Sequence, residues 1–474
     1  MKSQSIHFKS RSSAALDNPV LQQNLRQFGS GGLALLRARA VEAYGPAQFE
    51  GLRDAAKAIR ERALDNLAVW LEKFETQAKA RGATVLYAET AEEASDLVVE
   101  ISRRHGVKKV VKSKSMVSEE AGLNEALAAA GVTPIETDLG EYIIQLAGEA
   151  PSHIIAPAVH KSKDEVSDLF ERHHHTPRKT DIPAMTREAR EVLRSHFLSA
   201  DMGISGGNFL IAETGSGVIV TNEGNGRMVT TLPRVHVCIT GIEKVIPTLE
   251  DLSTLLRVLT RSATGQAISN YVSFFTGPRR QDDVEGPEHL YFILVDGGRS
   301  NLVGSDLHDM LRCIRCGACM NHCPVYKTVG GHAYGWVYPG PMGSVLTPAF
   351  DGIENALDLP QAATMCGACS VVCPVKIPLP DLLRTLREKQ VDLGLRPWQE
   401  RVAMRLWFWF AQRPALYALA TRIGVRVLKL LGNRDGMIAR LPFGSGWTEA
   451  KNGGRFMPAP EGRTFRERYA AMRR

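Results

Sequence analysis

Seven of the eight cysteines fall in two short runs, C-I-R-C-G-A-C-M-N-H-C-P beginning at Cys313 and C-G-A-C-S-V-V-C-P beginning at Cys366. In the first, Cys313, Cys316 and Cys319 recur every third residue, and Cys323 precedes Pro324. Thiolates spaced this way on a tight loop can take three corners of an iron–sulfur cube. The fourth, set off by a longer gap and turned away by proline, reaches a neighbouring cluster. The second run supplies Cys366, Cys369 and Cys373, the last followed by Pro374. Reciprocal ligation then predicts one cluster on Cys313, Cys316, Cys319 and Cys373, and another on Cys323, Cys366 and Cys369. Such centres move single electrons.

The second set is one thiolate short. A cysteine three positions after Cys369 would complete a symmetrical pattern, and Val372 stands there. Three thiolates suit a 3Fe–4S cluster, or a 4Fe–4S cluster whose last iron takes water, substrate or a non-cysteine ligand; the sequence leaves both open. Structural zinc also uses C-x-x-C pairs, but it closes at four ligands per ion, a count that seven cysteines do not divide into. Disulfides belong to oxidising compartments, and the polar, serine-rich stretch Met1–Ala14 lacks the apolar centre of an export signal. A reducing cytoplasm is the expected setting. Cys238, in V-H-V-C-I-T, reads as a small buried strand residue, and His236 on the same face as a core histidine. No catalytic side chain is assigned. No G-x-G-x-x-G opens a helix after a strand, since Gly203–Gly207 precedes a strand instead.

The elements that must hold these cysteines are legible in outline. At 474 residues, 44% hydrophobic and 23% charged, the chain is long enough for several globular domains. Its net charge of +7 is mild, and no basic stripe interleaved with aromatics points to nucleic acid. The densest basic run, His173 to Lys179, reads as a solvated loop. Residues 1–80 form an N-terminal helical segment, with Ile59, Ala63, Leu67, Trp70 and Phe74 on one stripe. From residue 81 strands alternate with helices: Thr84–Ala88, Lys109–Val111, Thr133–Glu136, His153–Ala156, Asn208–Ala212, Gly217–Thr221, Val235–Thr240 and Tyr291–Val295. Helices are expected from Thr90 toward His105, capped by Thr90 with Glu93, over Ser118–Ala130 and over Leu249–Ala263. A hairpin at Thr214–Gly217 makes the sheet of this α/β domain, residues 81–300, mixed.

The cluster domain, mainly helical and ferredoxin-like, occupies 301–395. Its insert between the cysteine runs, with G-G-H-A-Y-G-W-V-Y-P-G-P, reads as irregular, able to shield a cluster with Tyr334, Trp336 and Tyr338. Residues 396–474 form a helical and extended tail. Its W-F-W-F and V-R-V-L-K-L-L segments are broken too often by Arg413, Pro414, Arg422 and Arg426 to span a membrane. They suit docking on protein or peripheral contact with a membrane's inner face. Lys112, Ser113, Lys114 and Ser115 after a strand can cradle an anion, and Glu213, Thr214, Ser216, Asn222 and Glu223 can line a pocket; all are equally ordinary turn residues.

Taken together, V-V-K-S-K-S-M-V-S-E-E (110–120), E-T-D-L-G-E-Y-I-I-Q-L (136–146), A-E-T-G-S-G (212–217), T-N-E-G-N-G-R (221–227), the paired cysteine runs and the W-F-W-F tail resemble the lactate utilization protein B family over essentially the whole length. The resemblance implies a LUD-type α/β domain, then a two-cluster domain. It implies an electron-transfer subunit for oxidation of L-lactate to pyruvate. The implied partners are a cysteine-rich subunit akin to heterodisulfide reductase and a second LUD-type protein. Two other readings compete. The α/β domain can itself be an enzyme on a small anionic metabolite with the clusters as a redox sensor, or the chain can be an assembly scaffold.

Overall fold

The computed structural model describes residues 3–433, 435–438 and 457–473, which fall into two compact units, Met1–Glu388 and Lys389–Arg474. The first unit is built on a six-stranded sheet, parallel throughout. Its strands are β1 (Thr84–Ala88), β2 (Lys109–Lys112), β3 (Thr133–Glu136), β4 (Met202–Ser205), β7 (Val235–Gly241) and β10 (His289–Val295), in the order β1-β10-β7-β4-β2-β3. Central β7 and β10 carry Val237, Ile239, Phe292, Ile293 and Leu294, all fully buried, because helices cover one face of the parallel sheet and an N-terminal helix with a second sheet covers the other.

The predicted hairpin is present but belongs to a second, four-stranded sheet. This sheet joins β5 (Phe209–Ile211), β6 (Ser216–Thr221), β8 (Val245–Ile246) and β9 (Tyr271–Phe275) in the order β8-β5-β6-β9. β6 runs antiparallel to β5 and β9, while β8 is parallel to β5, so the mixed character lies here. Gly215 makes the turn at φ 69°, and a Cβ there would lie 2.3 Å from the backbone nitrogen of Ala78. Only glycine fits.

Helix Leu249–Ala263 lies where expected, opened by a capping box between Thr248 and Asp251. Thr90 does cap the helix Ala91–Arg104 by accepting from the Glu93 amide, but the Glu93 carboxylate takes the Glu89 amide rather than that of Thr90. Ser118–Ala130 is two helices, Met116–Glu120 and Leu123–Ala129, parted by Gly122 at φ 63°. The expected strand His153–Ala156 is not one. The buried His153 ring accepts the amides of Ile155 and Ala156 at Nδ1, curling the chain locally, and Nε2 meets Asn321 at 2.9 Å. His173–Lys179 is only partly the expected solvated loop. His174 ends the helix Lys163–His174 with its ring buried between Tyr142 (2.9 Å) and Glu188 (2.8 Å).

The insert between the cysteine runs is irregular where G-G-H-A-Y-G-W-V-Y-P-G-P was read as such, apart from the short turn His332–Tyr334, but helices flank that stretch. It holds the helices Pro324–Val329 and Gly340–Phe350, with Tyr334 and Tyr338 fully buried. Proline is tolerated in the first turn of each, where its missing N–H has no intrahelical partner anyway. Residues 8–80 are five helices, of which Phe8–Asp17 places Phe8 edge-on to Tyr334 at 5.3 Å. In the second unit the helices Trp398–Ala411 and Pro414–Leu430 expose Trp407, Phe408, Trp409 and Ile423, and Arg422 pairs with Glu467 of helix Phe465–Met472 at 3.1 Å. Among the described residues no helix is long and apolar enough to cross a membrane.

Burial pushes the Glu188 carboxyl up, but Thr176, Lys179 and His174 hold it down, to about 2 from an ordinary 4.5. Its stabilising contribution is therefore complete above pH 4.5 and is lost as pH falls toward 2. E188Q is expected to cost about 1–3 kcal/mol near neutrality. Urea denaturation from pH 7 down to pH 3 should show a shallower acid loss for E188Q than for the unmodified chain.

Candidate iron–sulfur centre

Each cysteine run is a loop bent by left-handed residues. In the first, Arg315 (φ 58°) and Gly317 (φ 73°) flank Cys316, and helix Ala318–His322 follows. In the second, Met365 (φ 57°) and Gly367 (φ 79°) flank Cys366, and helix Ala368–Val371 follows. Non-glycine residues at positive φ are uncommon, so the matched pair marks two copies of one turn. The copies align Cys316, Cys319 and Cys323 with Cys366, Cys369 and Cys373. The missing cysteine is then the counterpart of Cys313, and Ala363 holds its place rather than Val372.

Cys316, Cys323 and Cys373 are buried, Cys313, Cys319 and Cys369 half-buried, and Cys366 exposed. Burial raises the Cys316 and Cys319 thiols above their ordinary range, and each is pushed further by Cys313 and Cys373. Burial takes Cys369 up to about 11, with Cys323 and Cys366 adding to it. Cys373, also raised to about 11 by burial, feels Cys313, while Cys323 feels Cys366. The sulfurs repel chiefly in two sets, Cys313–Cys316–Cys319–Cys373 and Cys323–Cys366–Cys369, with a weaker link from Cys319 to Cys369. Cys366 alone is lowered, by the Thr364 side chain first and then by the Ala368 amide.

Backbone amides of Arg315 and Tyr326 point at Cys313 and Cys323, each at 3.5 Å, and that of Ile377 at Cys373 at 3.3 Å. Among the described residues no three cysteine sulfurs lie within 4.8 Å of one another. Tetrahedral zinc with bonds of about 2.3 Å needs its sulfurs roughly 3.8 Å apart, so the spacing is too wide for one zinc ion and leaves room for a larger body. The Tyr334 hydroxyl is buried with no hydrogen-bond partner among the described residues, and it feels the charge of Cys323 and Cys319. An orphaned donor facing thiolates fits a cluster whose sulfurs accept hydrogen bonds.

Cations surround the first set unevenly. Arg37 and Arg53 come from the N-terminal helices: Arg37 stands in the field of Cys316 and Cys373, and Arg53 donates to the Cys373 carbonyl at 2.8 and 3.0 Å. Lys244 donates to the Cys313 carbonyl at 3.3 Å. The first loop is pinned to the α/β domain through buried Glu243, just after β7. Its carboxylate lies 3.0 Å from Arg299 Nε and 3.6 Å from Arg315, and the backbone carbonyl of Glu243 accepts from Arg60. Arg299 also grips Glu120 through two nitrogens, at 2.7 and 3.0 Å, and Tyr338 donates to Glu120. Sequence spacing gave no hint of this network, in which Tyr338 and Glu120 meet across 218 residues.

The other expected pocket residues divide. Lys112 is buried on Glu136 at 2.6 Å and cradles nothing. Glu213 caps helix Leu249–Ala263, and Thr214 and Ser216 bond each other. Ser113, Lys114, Ser115, Asn222 and Glu223 do line a cavity of about 420 Å³, which Arg315 and Cys316 wall on the other side. His236 is a core histidine as read, with Nε2 at 2.8 Å from Ser205; Cys238 is fully buried.

Residues 71–295 match the LUD domain, and residues 309–377 match the 4Fe-4S dicluster domain. Curated relatives align over nearly all of the chain. Lactate utilization protein B of Bacillus licheniformis is 41% identical over 100% of this chain and 98% of its own length. That of Bacillus subtilis is 40% identical over 98% and 96%, and that of Macrococcus caseolyticus 44% identical over 88% of each.

Removing one partner from a buried ion pair strands the other charge, at a cost of about 3–5 kcal/mol. R299M, which removes the cation paired with Glu120 and the nearest of those around Glu243, should lower the urea midpoint by that equivalent. An unchanged midpoint would show the network to be dispensable.

Proposed function

Because the chain belongs to the lactate utilization protein B family, we propose that it is the iron–sulfur electron-transfer subunit of a cytoplasmic complex that oxidises L-lactate to pyruvate. The observation that carries this reading is that both cysteine runs lie within residues 309–377, the stretch that matches the 4Fe-4S dicluster domain; the interactions among their thiols support a crossed assignment. On this assignment Cys313, Cys316, Cys319 and Cys373 hold one 4Fe–4S cluster. Cys323, Cys366 and Cys369 hold a second, whose fourth iron lies where Ala363 offers no ligand. Converting lactate to pyruvate releases two electrons and two protons, and the pair of clusters supplies one-electron acceptors for both electrons.

The residues around the sulfurs set the two sites apart. Arg37, Arg53, Lys244 and Arg315 bring positive charge and buried surroundings to the first, and the Tyr334 hydroxyl is placed to donate to sulfur. The second keeps exposed Cys366 at the surface, the side on which a partner's redox centre can approach. The partners on this reading are a cysteine-rich, heterodisulfide-reductase-like subunit and a second LUD-type subunit. The exposed aromatic face of Trp398–Ala411 suits peripheral contact with the inner face of the membrane.

Anaerobically purified protein should be brown, with about eight irons per chain. C373S should remove the EPR signal of the first cluster and C323S that of the second, each substitution acting on the set opposite to its own run. Loss of the first signal in C323S would overturn the crossed assignment. A363C should supply the missing thiolate and protect the second cluster from losing one iron on mild oxidation.

A further inference from the structure

The cavity between the α/β domain and the first cysteine loop is not accounted for by electron transfer alone. All six strands of the main sheet run the same way, so the turns after β2, β4 and β7 meet at one edge. Small ligands of open parallel sheets bind at this edge. The turn after β2 brings Lys114 and Ser115 to the cavity, and the end of β7 brings Thr240. The turn after β4 brings Gly206 and Gly207, which line the cavity without side chains to fill it. A Cβ on Gly206 would lie 3.1 Å from the Ser115 hydroxyl. The opposite wall is Ile314, Arg315 and Cys316.

The cavity's charges are not equally engaged. Arg315 leans on Glu243 at 3.6 Å and on the Tyr338 ring at 4.8 Å, and Lys244 on the Cys313 carbonyl. Asp138 caps helix Leu139–Ala147 by accepting the amides of Gly140 and Glu141, and Glu223 accepts that of Leu139 at 3.4 Å. Lys114 is different. Half-buried on the cavity wall, its ammonium group has no carboxylate within 4.0 Å among the described residues, although Glu141 and Glu223 lie within its field. A cation on a cavity wall without an ion-pair partner is placed to meet an anion that enters the cavity. Ile154, Ile155, Ile239 and Ile314 add an apolar wall, while Ser115, Thr240 and the carboxylates of Asp138 and Glu223 add hydrogen-bonding groups.

We propose that this cavity binds a small hydroxy- or oxo-carboxylate, its carboxylate on Lys114 and its oxygen-bearing carbon toward the loop of Cys316. The proposal rests on the lactate reading above and deepens it, giving this chain a binding site of its own beside the first cluster. Lys114 is the positioning residue, and the site's occupancy should be felt by the first cluster before the second.

The test uses the full chain with both clusters present, confirmed by its visible spectrum, and the probes L-lactate, pyruvate and inorganic phosphate. L-lactate or pyruvate is expected to raise the melting temperature and to alter the EPR line shape of the reduced first cluster. K114A should weaken this binding at least tenfold at unchanged cluster content, and K114R should recover most of it. Absence of binding by either carboxylate, binding that K114A leaves intact, or protection by phosphate alone would each overturn the proposal. The electron-transfer reading would survive any of those results, because it fails only if the clusters are missing or do not cross over as assigned.

Discussion

The Glu243 carboxylate is the constraint around which the first unit is organised. It is 2% exposed, and a charge taken that far from water persists only where opposite charge and hydrogen bonds replace the solvent. Burial works against it, yet Arg299, Lys244, Arg315 and Arg60 hold its pKa down to about 2. Those cations come from separate parts of the chain: an N-terminal helix, the turn beyond β7, the turn beyond β10 and the first cysteine loop. No one of these segments can shift without leaving a charge unmatched. The sequence reading treats helical segment, α/β domain and cluster domain as separate tracts, and this anion binds all of them into one body.

The same arrangement makes the two sulfur sets unequal. The first sits deep among cations and amides, conditions that favour the added negative charge of a reduced centre. The second has a surface thiol lowered by Thr364 and an alanine where its twin has a cysteine. On the proposed electron-transfer reading, one sheltered and one accessible centre would build a direction into the electrostatics.

Much of this was legible from residues alone, and the failures have particular causes. The two cysteine runs were legible as an iron–sulfur domain because ligand spacing is local, and the match of residues 309–377 to the 4Fe-4S dicluster domain agrees; the crossed sets stand as a proposal. The gap was read at Val372 rather than Ala363 because spacing was counted forward from Cys369; the repeated left-handed turn at Arg315 and Met365 shows only in the backbone. β7 and β10 were plain as runs of Val, Ile and Leu, whereas β4 (M-G-I-S) and two-residue β8 are too short for any periodicity. The helices flanking the glycine- and proline-rich stretch were missed because Pro324 and Pro341 stand at helix starts, where proline favours the helix instead of breaking it, although Pro348 lies inside the second. His174 was placed in solvent because the groups that bury it, Tyr142 and Glu188, are not its neighbours in sequence. The cavity draws on residues from 113 to 316, so no local window contains it.

The N-terminal helices have a partner that arrives late. The Ser5 hydroxyl donates to the Tyr334 carbonyl, a contact spanning 329 residues. At a synthesis rate of about 5–20 residues per second, roughly 16–66 s separate the emergence of its two ends from the ribosome. Throughout that interval the apolar faces that will cover the cysteine loops stand open on the nascent chain. Those faces can pack only after the cysteine loops have been made, so the N-terminal helices are completed by residues synthesised long after them.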